Sequence, residues 1–509
     1  MVRAVTQEQM WTASWCAVAV SFPWSNAFMS IATGLLGLVA LLTLLHPNRR
    51  PSTGRSIRLS GAALVTLVAL SGMSALWSAD PFLAVNDARI KLPLAVGGLV
   101  LLALPEAMIL SAPFKRIVLK CAVFSAGCAA WVIVGMDLLD GLPHGGRAAS
   151  RFISHIRFGI WWAVLLPFAA AWLSRPWAML AAACAALTWF WTESISGLLC
   201  GVLTMAWWGP MLLSGPLPEA HWIPKRVVWI GLGTITCMLT MVALGVRVAL
   251  PSDFPDADTL PKVTAQGEPY LHLTERRVTE NGHFVWVEVA WGELGLTWQS
   301  RHELPFDEVK GRLIRFLSSK GLPKDRQGVE ALSEEEIEAV AAGATSVVEW
   351  REVGWSRRWN RICFNWGQWL DGRRMGESSI LDRSVYQSTA WSAIRAMPLG
   401  AHVVGVGTGN GQGALMDAYE REHPAWPPSM RHRPHNQWLS LWLEQGWIGL
   451  LLLIGAGFAA GARPIGFPGL LVLGLSFCFE DTLETQAGVT MALWVLVLPC
   501  FLASRGTTD

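Results

Sequence analysis

Apolar runs recur near residues 11–23, 26–45, 59–77, 92–109, 117–137, 158–174, 177–191, 197–213 and 227–249, with three more near 436–460, 467–479 and 485–503. A run of this kind fits a helix that satisfies its own backbone hydrogen bonds in lipid. The pattern predicts an all-α polytopic membrane protein with about 12 transmembrane helices, some of them short, tilted or kinked. Only 15% of the residues are charged and 52% are hydrophobic, whereas a soluble domain is about a quarter charged. The 29 tryptophans against 3 tyrosines predict many indole anchors at the two membrane interfaces. The nine cysteines lie mostly inside apolar runs and form no CxxC pair, so packing is expected of them, not a disulfide or metal framework. The first apolar run lacks a small-residue cleavage site and reads as retained. The net charge of +2 points to no partner class, and no nucleic-acid partner is expected.

Composition changes across residues 250–434, where charge rises and apolar runs shorten. The expected division is an N-terminal membrane bundle over 1–249 with about nine spans, a mainly helical insertion over 250–434, and about three C-terminal spans over 435–509. Basic loops carrying Arg49, Arg50, Arg55 and Arg58, then Lys115, Arg116 and Lys120, then Arg175, Lys225, Arg226 and Arg463 fall on one side of such a bundle. The positive-inside rule makes that side cytoplasmic, which puts both termini inside and the insertion outside.

Within the insertion, Ser333 and Glu336 form a capping box for a short helix, and 283–291 has the composition of a short strand. The tryptophans and arginines of 350–370 suit an interfacial helix or a glycan-stacking surface. Arg383, Gln387 and Ala390 to Ile394 predict a helix that ends near Pro398. GVGTGN at 405–410 lacks the Lys and Ser or Thr of a nucleotide loop and reads as a tight turn for close backbone approach. LWSADP at 76–81 reads as a span ending in a turn, with Pro81 stopping the helix and 78–91 forming an outward loop.

Three polar clusters are expected on the outer face. Arg431, His432, Arg433, His435 and Asn436 stand at the mouth of the run that begins near 436. Residues 141–160 carry His144, Arg147, Arg151, His155 and Arg157 without an acid. Glu480, Asp481 and Glu484 stand between the last two runs, either orienting the cations, binding a sugar hydroxyl or balancing charge. Glu193, in the short outward turn 192–197, reads as an interfacial carboxylate. Arginines outside the membrane suit a phosphate-bearing substrate, because the guanidinium fork matches phosphate geometry.

As a set, LWSADP, RFISHIRF at 151–158, TENG at 279–282, IRFLSSKGLPKD at 314–325, GVGTGN, HNQWLSLWLEQGWIGL at 435–450 and EDTLETQAG at 480–488 make the chain resemble the O-antigen ligase and O-antigen polymerase superfamily. The large insertion looks like the exopolysaccharide-type branch. The resemblance implies a metal-independent, cofactor-free glycosyltransferase of the bacterial inner membrane, facing the periplasm. Its donor would be an undecaprenyl-pyrophosphate-linked glycan, and its acceptor lipid A-core or a second lipid-linked glycan. Polysaccharide-assembly proteins are further expected partners. The family's functional arginines and histidine carry over to Arg151 or Arg157, to Arg383 and to His435. Arg147, His155, Arg431, Arg433, Asn436, Glu480, Asp481 and Glu484 are then expected around the substrate. Direct attack by the acceptor hydroxyl would invert the anomeric centre. His435 would serve as base or as an electrostatic group, and in the latter case Glu480 or Asp481 becomes the base. A flippase of the lipid-linked glycan and a non-catalytic scaffold of an export complex are the competing readings; a flippase would bury charge at midplane.

Overall fold

A computed structural model describes residues 6–46, 54–104, 112–140, 150–213, 259–276, 278–351, 354–370, 379–462 and 466–502. The chain divides into two compact units, Met1–Thr234 with Arg383–Asp509, and Ile235–Asp382.

The first unit is a helical bundle. Its N-terminal helices are α1 (Gln7–Ser21), α2 (Asn26–Leu45), α3 (Arg55–Met73), α4 (Pro81–Ala103), α5 (Ala112–Leu139), α6 (His155–Trp172), α7 (Arg175–Trp191) and α8 (Ile195–Leu213). The second unit carries α9 (Trp291–Arg301), α10 (Phe306–Ser319), α11 (Arg326–Glu330), α12 (Glu334–Ala341), α13 (Val347–Arg351) and α14 (Trp355–Leu370). After it come α15 (Ser379–Arg395), α16 (Leu399–Val404), α17 (Gly411–Glu422), α18 (Gln437–Gly461), α19 (Phe467–Phe479) and α20 (Gln486–Leu502).

The expectation of about 12 spans is corrected. Among the described residues, four helices are long and apolar enough to cross a membrane: Asn26–Leu45, Arg55–Leu76, Pro113–Leu139 and Gln437–Gly461. Ile195–Met205, Phe467–Phe479 and Gln486–Phe501 are apolar but shorter. The hydrocarbon core needs about 20 residues of helix, and α1 has 15 and α7 has 17. α4 has 23 residues, but Asp87, Arg89 and Lys91 lie within it. The expected span at 227–249 lies outside the described residues. Several long apolar helices remain, consistent with a multi-pass membrane protein.

Two further expectations change. Residues 81–91 are helical, because Asp80 accepts from the Leu83 amide as N-cap and Pro81 takes the first position, where its missing N–H costs nothing. Pro81 therefore starts a helix instead of ending one. Many indoles are also internal: Trp11, Trp15, Trp161, Trp162 and Trp494 are fully buried in the bundle. Trp161 meets Trp494 edge to face at 5.1 Å and stacks on Phe22 at 4.0 Å, ring contacts that add about 0.5–1.5 kcal/mol per pair to close helix packing. Ser60 ties α3 to α18, donating to the Gly455 carbonyl at 2.9 Å and accepting from the Ala459 amide at 3.1 Å.

The second unit has its own core around Trp298, Leu313, Phe316 and Leu317. The strand expected over 283–291 is only a two-residue arm, His283–Phe284, paired with Thr279–Glu280. Asn281 and Gly282 turn between them, both at positive φ, as a two-residue hairpin turn requires. The capping box of Ser333 and Glu336 is present. Buried Glu280 pairs with Arg315 at 3.0 Å, and burial pushes its carboxyl up.

Candidate functional site

The site is built where α4, α6, α15, α18 and the turn between α19 and α20 converge. That turn, Glu480 to Glu484, acts as a template, and each of its acids holds a different partner.

Glu480 binds two arginines through its two oxygens. Arg383 Nη2 donates to Oε1 at 2.7 Å while its Nη1 donates to the Phe479 carbonyl at 2.7 Å. Arg157 Nη2 stands 3.7 Å from Oε2. Arg383 comes from α15 and Arg157 from the first turn of α6, so Glu480 brings together cations that lie far apart in sequence.

Asp481 holds the chain at His435. It accepts from the His435 amide at 3.0 Å, the Asn436 amide at 3.2 Å and the Ser440 hydroxyl at 2.8 Å. These bonds support a non-glycine residue in the left-handed region, since His435 has φ +49°. Asn436 is the N-cap of α18, accepting from the Leu439 amide. The imidazole stands 3.8 Å from Asp481 through Nδ1, and its ring faces Tyr386 at 6.0 Å. Burial first, then the charges of Arg383 and His432, lower the His435 pKa against the opposing pull of Asp481 and Glu480.

Glu484 is the centre of a buried ion cluster. Lys91 Nζ lies 3.0 Å from its Oε1, and Arg433 Nη1 lies 2.9 Å from its Oε2. Gln437 donates to Oε1 at 3.3 Å and accepts from the Leu483 amide at 2.7 Å. Burial would raise the Glu484 carboxyl, but Lys91 and Arg433 outweigh it and bring it down to about 2. Glu444 stands 3.6 Å from Lys91, and Asp87 3.5 Å from Arg433. Asp87, Glu444 and Glu484 offer oxygens within 4.8 Å of one another, a spacing that could hold a metal ion. Lys91 and Arg433 already supply positive charge among them.

α18 is broken directly below this cluster. Gly446 has φ +61° and ψ −160°, a conformation closed to other residues. The break frees carbonyls, and the 405–410 loop satisfies them: the Val406 amide donates to Leu443 at 2.9 Å and the Gly407 amide to Glu444 at 3.0 Å. A Cβ on Gly405 would meet the Glu444 carbonyl carbon at 2.2 Å. The same loop grips LWSADP, with the Gly409 amide donating to Ser78 and the Ala79 amide to Asn410. GVGTGN is thus the close-approach turn expected from its glycines.

The other expected residues are placed as follows. Arg151 stands away from Glu480, held by Asp137 at 2.9 Å and Asp140 at 2.5 Å, while Asp137 also accepts from the Trp191 indole. Of the two alternatives, Arg157 is the one beside Arg383. His155 contacts Ser150 through Nδ1 at 2.8 Å. Arg431 pairs with Glu420 and the Trp426 carbonyl, and it fixes the chain leading to His435. Arg147 lies outside the described residues. Sequence reasoning did not single out Lys91 and Asp87 as part of the site and passed over Glu444 and Gln437. Their signal was an ionisable residue within an apolar stretch, which needs a partner elsewhere in the chain.

The arrangement presents two guanidinium groups on one carboxylate beside a half-buried imidazole. It can grip an anionic oxygen and take up a proton next to it. No curated protein matches the chain. A family model described as O-antigen ligase matches residues 330–454, the stretch that carries Arg383, Glu444 and the whole Arg431–Asn436 segment, and over that part the chain matches the O-antigen ligase and polymerase superfamily.

Proposed function

We propose that the protein is a lipid-dependent glycosyltransferase that moves a glycan from undecaprenyl pyrophosphate onto a hydroxyl acceptor at the periplasmic membrane face. The observation that carries this reading is the pairing of Arg157 and Arg383 on Glu480 beside His435. The acceptor oxygen attacks the anomeric carbon and forms the new glycosidic bond. The bond from that carbon to the phosphate oxygen breaks, and its electron pair leaves with the lipid pyrophosphate. Arg383 and Arg157 stabilise the growing negative charge there, a contribution of about 10²–10³ in rate per well-placed donor. The hydroxyl proton passes to the neutral imidazole of His435, which its lowered pKa keeps available. Attack opposite the leaving group inverts the anomeric centre. The base role falls to His435 and not to Asp481, whose oxygens already accept two backbone amides and a hydroxyl.

The test is purified protein in nanodiscs supplied with lipid-linked glycan, with and without lipid A-core. A longer lipid-linked ladder identifies a polymerase, and glycan on lipid A-core identifies a ligase. Either product should vanish in His435→Ala. Donor binding without any product would overturn the transferase reading in favour of a flippase or scaffold.

A further inference from the structure

α4 carries two different faces. Asp87, Lys91, Leu94 and Gly98 are buried in the bundle at helical spacing. Arg89, Pro93 and Val96, at the same spacing on another face, line an open groove of about 530 Å³, within the range of about 300–1,000 Å³ typical of small-molecule sites. The facing wall is α2, a helix apolar enough to span the membrane, which lines the groove with Asn26, Ala27, Ser30, Thr33 and Gly34.

Asn26, Arg89 and Gln486 mark the polar end of the groove, and Gly34, Leu92 and Val96 form apolar wall further along. Ser30 and Thr33 also line it, with their hydroxyls donating to the Asn26 and Met29 carbonyls of their own helix at 2.9 and 2.6 Å. Gln486 opens α20 two residues after Glu484, so the polar end adjoins the acidic turn that holds Arg383, Arg157 and His435. Arg89 is exposed and gives one hydrogen bond to Asn86 at 2.9 Å. A cation at the mouth and hydrocarbon walls beyond it suit an anionic lipid lying with its chain along α2. A single groove between two helices takes one chain, whereas a phospholipid brings two.

We propose that this groove seats the polyprenyl chain of a phosphate-bearing lipid, with its phosphate end at Arg89 and directed toward the Glu480 turn. This rests on the transferase reading for the identity of the lipid, and its test does not require transfer. Gly34 offers the lever, because a Cβ built there meets no heavy atom within 4 Å. A large side chain at that position fills the groove without displacing the helix.

The experiment uses the full chain in nanodiscs and a polyprenyl monophosphate carrying a diazirine on its chain, with cross-linked peptides located by mass spectrometry. Labelling is expected within residues 26–34 and 89–96. Unlabelled polyprenyl phosphate should compete it away and phosphatidylglycerol should not. Gly34→Trp, and independently Ser30→Trp, should reduce labelling at least about ten-fold, with Gly34→Ala unchanged. Each variant is first shown to keep the wild-type thermal transition. Labelling elsewhere, no labelling, equal competition by phosphatidylglycerol, or wild-type labelling in both tryptophan variants would each overturn the groove. Groove labelling in a protein that transfers nothing would leave this assignment standing and remove the transferase reading. Transfer with labelling elsewhere would do the reverse.

Discussion

Lys91 Nζ lies 3.0 Å from Glu484 Oε1, and the two side chains are 2% and 7% exposed. Removing Lys91 leaves buried Glu484 and Glu444 with Arg433 as their remaining counter-charge, and breaking a buried pair costs up to about 3–5 kcal/mol. Lys91→Met should lower the thermal transition in detergent sharply. Adding Glu484→Gln to it should recover part of the loss. An additive double variant would mean that the pair does not act as a unit.

Arg151 and Arg157 are six residues apart and should behave differently. Arg157→Ala and Arg383→Ala should each reduce the transfer rate about 10²–10³-fold, measured as product from lipid-linked donor. Arg151→Ala should leave that rate close to wild type and instead lower stability, because it strips the buried Asp137 of a guanidinium partner. A rate collapse confined to the Arg151 variant would sink the assignment.

The pH dependence follows from two shifts of known direction. A base works in its neutral form, so the transfer rate should rise with pH through a midpoint below the ordinary 6.5 of histidine. The same depressed pKa contributes stability that is complete above 6.5 and declines as pH falls through the lower folded-state value. Glu484, brought down from 4.5 to about 2, contributes stability that is complete above 4.5 and lost as pH falls toward about 2. Thermal scans between these limits should show the second loss disappear in Glu484→Gln.

Gly446→Ala tests the break in α18. An added Cβ would stand 2.4 Å from the Val403 carbonyl oxygen, in a backbone region that costs about 1–3 kcal/mol for a residue with a side chain. The variant should fold poorly, seen as a lowered thermal transition and faster proteolysis of the detergent-solubilised protein. Gly34→Ala, with open space around it, is the matched control and should match wild type.

Local signals were readable in the sequence. Ser333 and Glu336 sit at capping-box spacing, and the glycines of 405–410 announce a backbone that comes close to something. The long-range partners were not readable. Nothing near Glu480 names Arg157 and Arg383 as its ligands, and nothing near Gly446 says that residues 406 and 407 will cover its freed carbonyls. Hydropathy also overcounted spans, because a run such as that of α7 is apolar enough to be noticed yet only 17 residues long. The charges of α4 made 78–91 look like a loop, since burial of Lys91 becomes acceptable only once Glu484 and Glu444 are in place.

That dependence has a consequence in time. Lys91 and Glu484 are 393 residues apart, which at about 5–20 residues per second is about 20–80 s of translation. For that interval α4 carries an ammonium whose main counter-ions do not yet exist. Asp87, one helical turn earlier, is the only acid within four residues of it, and its charge acts on Lys91 in the finished protein too. The nascent helix therefore brings a chaperoning charge of its own, kept until the last part of the chain arrives to take over.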